Sequence, residues 1–318
     1  MALAFIFPGQ GSQAVGMGRD IAAAFSAARE VFQEIDDTLK QKLSRLMFEG
    51  PPEDLQLTSN TQPALLAHSL AIVRVLEREG GFSVADRVAV VAGHSLGEYS
   101  ALAAAGAFSV ADATRLVRLR GQAMQEAVPP GEGAMAALLG VELEQAAEIC
   151  RSAAATPEGD TEVIQPANDN GGGQVVVSGH LAAVERAIAI ARTRDGKRAL
   201  LLPVSAPFHC ALMQPAADAM ARALQDIRPA PPALPLVANV TAEKASAPQE
   251  IARLLVEQVT AMVRWRESVL CMTGLGVDRF AELGTGKVLS GLVRRIQPEA
   301  QALPVGSPAD IEAFLKAS

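Results

Sequence analysis

The chain alternates short runs that are apolar at every position with longer segments whose apolar residues recur every three or four positions. An all-apolar run suits a strand covered on both faces, and the longer period suits a helix with one buried stripe. Ala2-Leu3-Ala4-Phe5-Ile6-Phe7 is of the first kind and ends at Pro8-Gly9. Helical spacing follows over 21–48, stops at Pro51-Pro52 and resumes over 63–79. Val88-Ala89-Val90-Val91-Ala92 predicts a second buried strand. After it come helical sequence to Ala105 and a helix over 110–127, with Ser109 and Asp112 at capping-box spacing. This alternation predicts an α/β fold around a mostly parallel sheet.

The order changes after Pro129-Pro130. Strand 134–140, helix 142–154, strands 162–166 and 174–178, helix 181–194 and strand 198–203 give the order β-α-β-β-α-β, the ferredoxin-like arrangement. The unit closes on itself, which predicts a small subdomain at 130–203 inserted into a large domain made of 1–129 and 204–318. Farther on, a Pro-rich stretch at 229–235 precedes a strand over 236–239, a long helix near 249–262, a strand over 279–283 and a helix after Gly286.

Composition narrows the function classes. The 318 residues carry 28 Lys and Arg against 35 Asp and Glu, a net charge of −7, and 49% are hydrophobic. A chain of this size builds a core without disulfides or metals, and its low charge density excludes disorder. An acidic total without a basic block, and single copies of Trp and Tyr, argue against a nucleic-acid partner. Cys150, Cys210 and Cys271 are widely spaced and odd in number, as in a reducing compartment, so a cytoplasmic location is expected. The apolar N-terminus lacks a basic leader and reads as a strand rather than a signal peptide. No apolar run approaches the roughly 18 residues of a membrane span, so no membrane partner is expected. No His, Cys, Asp and Glu cluster has metal-ligand spacing, and neither a metal nor another cofactor is expected.

The strongest local signal is Gly93-His94-Ser95-Leu96-Gly97. Between a strand and a helix, G-x-S-x-G forms a tight turn that lifts the serine oxygen above the sheet, and side chains at the glycines would strike backbone. Ser95 is therefore the candidate nucleophile. It needs a base, and there are four histidines, His68, His94, His180 and His209. His94 adjoins the serine and its side chain should point away from the attack position. His68 lies in helical sequence and His180 follows a strand of the insert. His209 follows Ser205-Ala206-Pro207-Phe208, a stiff joint where the insert rejoins the large domain, and joints favour clefts.

On the 110–127 helix, Ala113, Leu116, Val117, Met124 and Ala127 share one face, and Arg120 falls in its middle. Arg115 and Arg118 lie to the other side. A buried guanidinium requires a partner, which is either a structural Asp or Glu or the carboxylate of a ligand. Gln258 likewise interrupts the stripe Ile251, Leu254, Leu255, Met262, where its amide needs hydrogen-bond partners. Two glycine loops are set aside. Gly9-Gln10-Gly11-Ser12-Gln13-Ala14 lacks the second strand that a dinucleotide site requires, and Gly284-Thr285-Gly286-Lys287 lacks the first glycine and the hydroxyl of a phosphate loop. Cys210 reads as a small buried residue.

Taken together, Phe7-Pro8-Gly9-Gln10-Gly11-Ser12-Gln13, Gly93-His94-Ser95-Leu96-Gly97-Glu98-Tyr99, Arg118-Leu119-Arg120-Gly121 with Met124-Gln125, Ser205-Ala206-Pro207-Phe208-His209 and Glu282-Leu283-Gly284-Thr285-Gly286-Lys287-Val288-Leu289 closely resemble the malonyl-CoA:acyl-carrier-protein transacylases of fatty-acid synthesis. The resemblance spans essentially the whole chain. It implies a hydrolase-like α/β domain with a ferredoxin-like insert. It also implies that Ser95 carries the acyl group as an ester, with His209 as general base and the N–H groups of Gln10 and Leu96 as oxyanion hole. Arg120 would grip the malonyl carboxylate, and the main-chain oxygen of Gln258 would orient the histidine in place of an acidic residue. Asn168, Phe208 and His94 would line the site, with Phe208 narrowing the space at the α-carbon. The implied partners are a coenzyme A thioester and an acyl carrier protein, with the chain a monomer. A stand-alone loading enzyme for a polyketide assembly line shares these features, and a serine thioesterase or esterase is a more distant alternative.

Two segments depart from the family pattern. Asp169-Asn170-Gly171-Gly172-Gly173 is richer in glycine, which predicts a more mobile loop, and Ala261-Met262-Val263 precedes Arg264-Trp265 where proline or a small residue is common. Arg192, Arg194, Lys197 and Arg198 form a basic group, read as a solvated helix end or as a surface for an acidic carrier.

Overall fold

The computed structural model describes residues 2–156, 159–193 and 197–317. Among them the strands are β1 (Ala2–Phe7), β2 (Val90–Gly93), β3 (Gly133–Leu139), β4 (Ile164–Asp169), β5 (Gln174–His180), β6 (Arg198–Leu201), β7 (Leu236–Val237), β8 (Lys244–Ala245), β9 (Val277–Leu283) and β10 (Gln301–Val305). A six-stranded sheet runs β10-β9-β1-β2-β7-β8, parallel except for the β7–β8 pair. β1 is central, and its side chains alternate between two cores. Leu3, Phe5 and Phe7 pack on one face, Ala4 and Ile6 on the other. Burial on both faces is why every position of this strand is apolar.

The second sheet is antiparallel, in the order β4-β5-β3-β6. Within the segment that forms it, this is the strand order 2-3-1-4 of a ferredoxin-like unit. Ala134, Ala136 and Leu138 face its two helices, Leu143–Ala154 and Leu181–Thr193, whereas Met135 and Ala137 face the core of the large sheet. The molecule is thus a hydrolase-like α/β fold carrying a ferredoxin-like insertion.

Several elements differ from the periodicity reading for identifiable reasons. The segment 21–48 is three helices, Arg19–Ala24, Ser26–Leu39 and Leu43–Glu49. The breaks fall at Phe25, which is extended, and at Lys40, with φ 50°, neither of which is a residue that marks a turn. The helix expected over 63–79 starts earlier and spans Thr58–Arg78, with Pro63 inside it. The helix expected to reach residue 262 ends at Glu257, because the carbonyls of Gln258 and Ala261 turn to His209 instead of continuing the ladder. β10 contains Pro304 and was not legible as a strand; at the edge of the sheet a missing N–H costs nothing on the open side.

Candidate active site

Ser95 sits between the end of β2 and the helix Gly97–Ala104, with φ 53° in the left-handed region. A non-glycine residue holds that conformation only where its surroundings enforce it. A Cβ on Gly93 would stand 1.9 Å from the carbonyl carbon of Gly97, and one on Gly97 would stand 2.2 Å from the Phe7 oxygen. Asn239, just beyond β7, holds the turn from below. Its Oδ1 accepts the Ser95 N–H (2.8 Å) and its Nδ2 donates to the Gly93 oxygen (2.6 Å).

His209 also has a left-handed backbone, with φ 60°. Its Nε2 lies 2.7 Å from Ser95 Oγ. Its Nδ1 faces two main-chain oxygens, of Gln258 at 2.8 Å and of Ala261 at 3.1 Å. Carbonyl oxygens only accept, so Nδ1 carries the proton and Nε2 presents its lone pair to the serine hydroxyl. Burial, and then the positive charge of Arg120, push the His209 pKa down to about 3. The imidazole is therefore neutral at physiological pH, as a general base must be.

Arg120 is 1% exposed, in the apolar face the sequence predicted, beside Ala113, Leu116, Val117 and Met124. Arg115 instead pairs with Asp112 at the surface (2.9 Å), and Arg118 donates to Gln41 (2.6 Å) and Asn60 (3.0 Å). Arg120 Nη1 donates to Gln62 Oε1 (3.0 Å), and Nη2 to Gln258 Oε1 (2.8 Å) and to Ser95 Oγ (3.2 Å). Among the described residues no carboxylate pairs with it directly. Glu98 is one amide away, its Oε2 accepting from Gln258 Nε2 at 2.7 Å. Burial raises the Glu98 carboxyl to about 7, so it is a weak counter-charge, while burial lowers the guanidinium pKa. A desolvated cation held by neutral amides at the wall of a cavity is able to pair with an anion that enters it.

That cavity has a volume of about 470 Å³, and its lining includes Gln10, His94, Ser95, Leu96, Arg120, Asn168, Phe208 and His209. Gln258 lies behind the wall, fully buried. The N–H groups of Gln10 and Leu96 have no acceptor among the described residues, so both are available to an oxygen in the cavity. The Gln10 side chain is tied back to Thr58 Oγ1 (3.3 Å). His94 makes no bond to Ser95; its Nε2 is 3.0 Å from Asn170 Oδ1.

The glycine-rich segment uses its glycines for close packing. Gly171, Gly172 and Gly173 all have positive φ, and a Cβ on Gly171 would meet Ile296 at 2.6 Å. Asp169 is anchored by Arg266 Nε (2.8 Å). Val263, in the second departing segment, exchanges main-chain bonds with Ala167 and Asp169, each 2.9 Å, and so ties β4 to the large sheet's side of the cleft. This segment is part of the wall that carries Asn168 and Asn170.

Other candidates fall away from the cavity. His180 Nδ1 accepts the Val163 N–H (2.9 Å), and His68 is buried in the helix Thr58–Arg78. Cys210 is buried and its thiol donates to the Pro207 oxygen (3.2 Å). The Gly284–Lys287 loop offers no anion site, because the Glu282 carboxylate already accepts the N–H groups of Leu289 (3.0 Å) and Ser290 (2.7 Å). In the basic group, Arg194 lies outside the described residues, and Arg192 donates to the Ala199 oxygen (2.6 Å). No group of three or more His, Cys, Asp or Glu among the described residues could hold a metal ion, and no helix among them is long and apolar enough to cross a membrane. Sequence reasoning missed Gln62, Glu98 and Asn239. The available signal was polarity inside buried elements, since residues 97–102 are all buried and include one carboxylate.

The family described as acyl transferase domain matches residues 4–299. The malonyl CoA-acyl carrier protein transacylase of Escherichia coli K12 is 47% identical over 313 residues, covering 98% of each chain. The crystal structure of an acyl-carrier-protein S-malonyltransferase from Bartonella henselae matches with a TM-score of 0.95 at 53% identity, over 100% of this chain and 99% of that one. A type II polyketide-synthase acyl-carrier protein in complex with its malonyl-transacylase gives a TM-score of 0.94 at 43% identity, over 100% of both.

Proposed function

The chain belongs to the acyl transferase family, and we propose that it moves the malonyl group of malonyl-CoA, through an ester on Ser95, to the phosphopantetheine thiol of an acyl carrier protein. The reaction supplies extender units for fatty-acid synthesis.

Ser95 Oγ attacks the thioester carbonyl while His209 Nε2 takes its proton across 2.7 Å. The carbonyl oxygen, now negative, accepts from the N–H groups of Leu96 and Gln10, each worth about 3 kcal/mol in the transition state. The C–S bond breaks, the coenzyme A thiolate takes the proton from His209, and the malonyl ester remains. The carrier thiol then gives its proton to His209 and attacks the ester, and Ser95 regains the proton as it leaves. The Gln258 oxygen holds the imidazole in its reactive tautomer and stands where a serine thioesterase or esterase would place a carboxylate.

Arg120 selects the substrate. A malonyl carboxylate satisfies the buried guanidinium, whereas acetyl leaves it without an anion. Phe208 limits bulk at the α-carbon, and His94 and Asn168 complete the lining. The scheme uses no metal and no other cofactor. We divide the chain into a catalytic unit of 1–129 and 204–318 and an insert of 130–203, with the cleft between them, and place it in the cytoplasm as a monomer.

The observation that carries this reading is the buried Arg120 Nη2 within 3.2 Å of the candidate nucleophile, without a paired acid. Its test is product analysis with malonyl-CoA, with and without holo carrier proteins of fatty-acid and polyketide type. Malonyl-carrier should form with the fatty-acid carrier; release of free malonate as the main product in its presence would contradict the proposal.

A further inference from the structure

Glu98 follows directly on the turn that presents Ser95, and it is 1% exposed. A carboxyl buried so deeply is costly unless its oxygens are bonded. Its Oε2 accepts from Gln258 Nε2 (2.7 Å) and from the Asn239 N–H (3.2 Å). Gln258 is the hub. Its Oε1 accepts from Arg120 (2.8 Å), its main-chain oxygen accepts from His209 (2.8 Å), and its Nε2 also donates to the Ser95 oxygen (3.0 Å).

A side-chain amide has two orientations that differ by exchange of its oxygen and nitrogen. With Oε1 toward Arg120, the guanidinium meets an acceptor and Glu98 meets a donor. Reversed, the NH₂ group would face a cation and the oxygen would face a carboxyl oxygen, with no bond on either side. Oε2 already accepts two N–H groups, so the proton of the neutral acid sits on Oε1 and the preference survives titration of the acid.

We propose that Glu98 is a positioning residue for acyl-group selection: by accepting from Gln258 Nε2 it fixes that amide with Oε1 toward Arg120, and so aims the guanidinium at the substrate carboxylate. Glu98 touches neither the reacting atoms nor Arg120. The inference rests on Arg120 as the carboxylate-binding group.

The experiment compares initial rates of enzyme acylation by malonyl-CoA and by acetyl-CoA in the wild type, Glu98→Ala, Glu98→Gln and Arg120→Ala, with thermal melting of each. Glu98→Ala should lower the malonyl-to-acetyl ratio about tenfold, seen mainly in the KM for malonyl-CoA, as loss of one buried hydrogen bond to a chargeable group implies. Glu98→Gln keeps an acceptor and should restore most of the ratio. If Glu98→Ala does not fold, Glu98→Met fills the volume, accepts nothing and should show the same loss. A general structural role would lower both rates and the melting temperature while leaving the ratio unchanged, and that result overturns the inference, as does failure of Glu98→Gln to restore the ratio. If Arg120→Ala lowers the ratio and Glu98→Ala does not, only this inference falls. If Arg120→Ala leaves the ratio intact, the carboxylate reading falls with it.

Discussion

Arg120 Nη2 and Ser95 Oγ are one hydrogen bond apart, at 3.2 Å, so the proposed receptor for the acyl carboxylate and the proposed nucleophile occupy a single site. The distance explains how a small acyl group can be recognised at all. A malonyl carboxylate lies only one carbon beyond the thioester carbonyl, and its receptor must therefore stand beside the nucleophile.

Removing that receptor should separate binding from chemistry. In Arg120→Ala, acylation by malonyl-CoA should fall by a hundredfold or more, about 3 kcal/mol for a charge-assisted bidentate contact, while acetylation changes far less. Parallel kinetics with the two thioesters measure this. An equal loss for both would assign Arg120 a structural role.

The acidity of His209 sets the pH dependence. Its pKa in the folded chain, about 3, is below the 6.5 of an exposed imidazole, so the base form persists well into acid. The profile of kcat/KM for malonyl-CoA reports the free enzyme and should not fall between pH 7.5 and about 5.5. An acid limb centred near 6.5 would mean that the imidazole is solvated. Linkage gives the matching sign for stability. Below about 6.5 the unfolded chain binds a proton at this residue that the folded chain does not, so the His209 contribution lowers stability as pH falls toward 3. His68, lowered to about 4 by burial, acts in the same direction, and Glu98, raised to about 7, acts in the opposite one between 4.5 and 7. Guanidinium unfolding of His68→Phe at pH 5 and pH 7.5 isolates one of these contributions. The variant's advantage over the wild type should be larger at pH 5.

The serine turn tolerates no side chain at its glycines. Gly97→Ala places a methyl 2.2 Å from the Phe7 carbonyl, a backbone atom of the central strand that has no slack. Loss of more than about 3 kcal/mol of stability is expected, with little soluble protein recovered. Gly106→Ala is the contrast, since a Cβ there meets nothing within 4 Å and the cost is confined to its positive φ.

How much of this was legible beforehand depended on how local each signal was. β1 and β2 were readable because a strand buried on both faces must be apolar throughout, and Arg120 because a cation interrupts an apolar face within one helix. Its partners were not readable. Gln62, Gln258 and Ser95 are separated from it by 58, 138 and 25 residues, and Asn239 meets Ser95 across 144. No local pattern encodes such meetings; the sheet order creates them. The breaks at Phe25 and Lys40 were hidden for a related reason, since the apolar period runs on across them while the backbone turns.

The acyl-enzyme itself is the most direct measurement of the central claim. Intact-mass analysis after brief mixing with malonyl-CoA, without carrier, should show one malonyl group added, and peptide mapping should place it on Ser95. Adding holo carrier should discharge it as malonyl-carrier, and Ser95→Ala should show neither adduct nor transfer. Transfer that proceeds at the wild-type rate in Ser95→Ala would contradict the account.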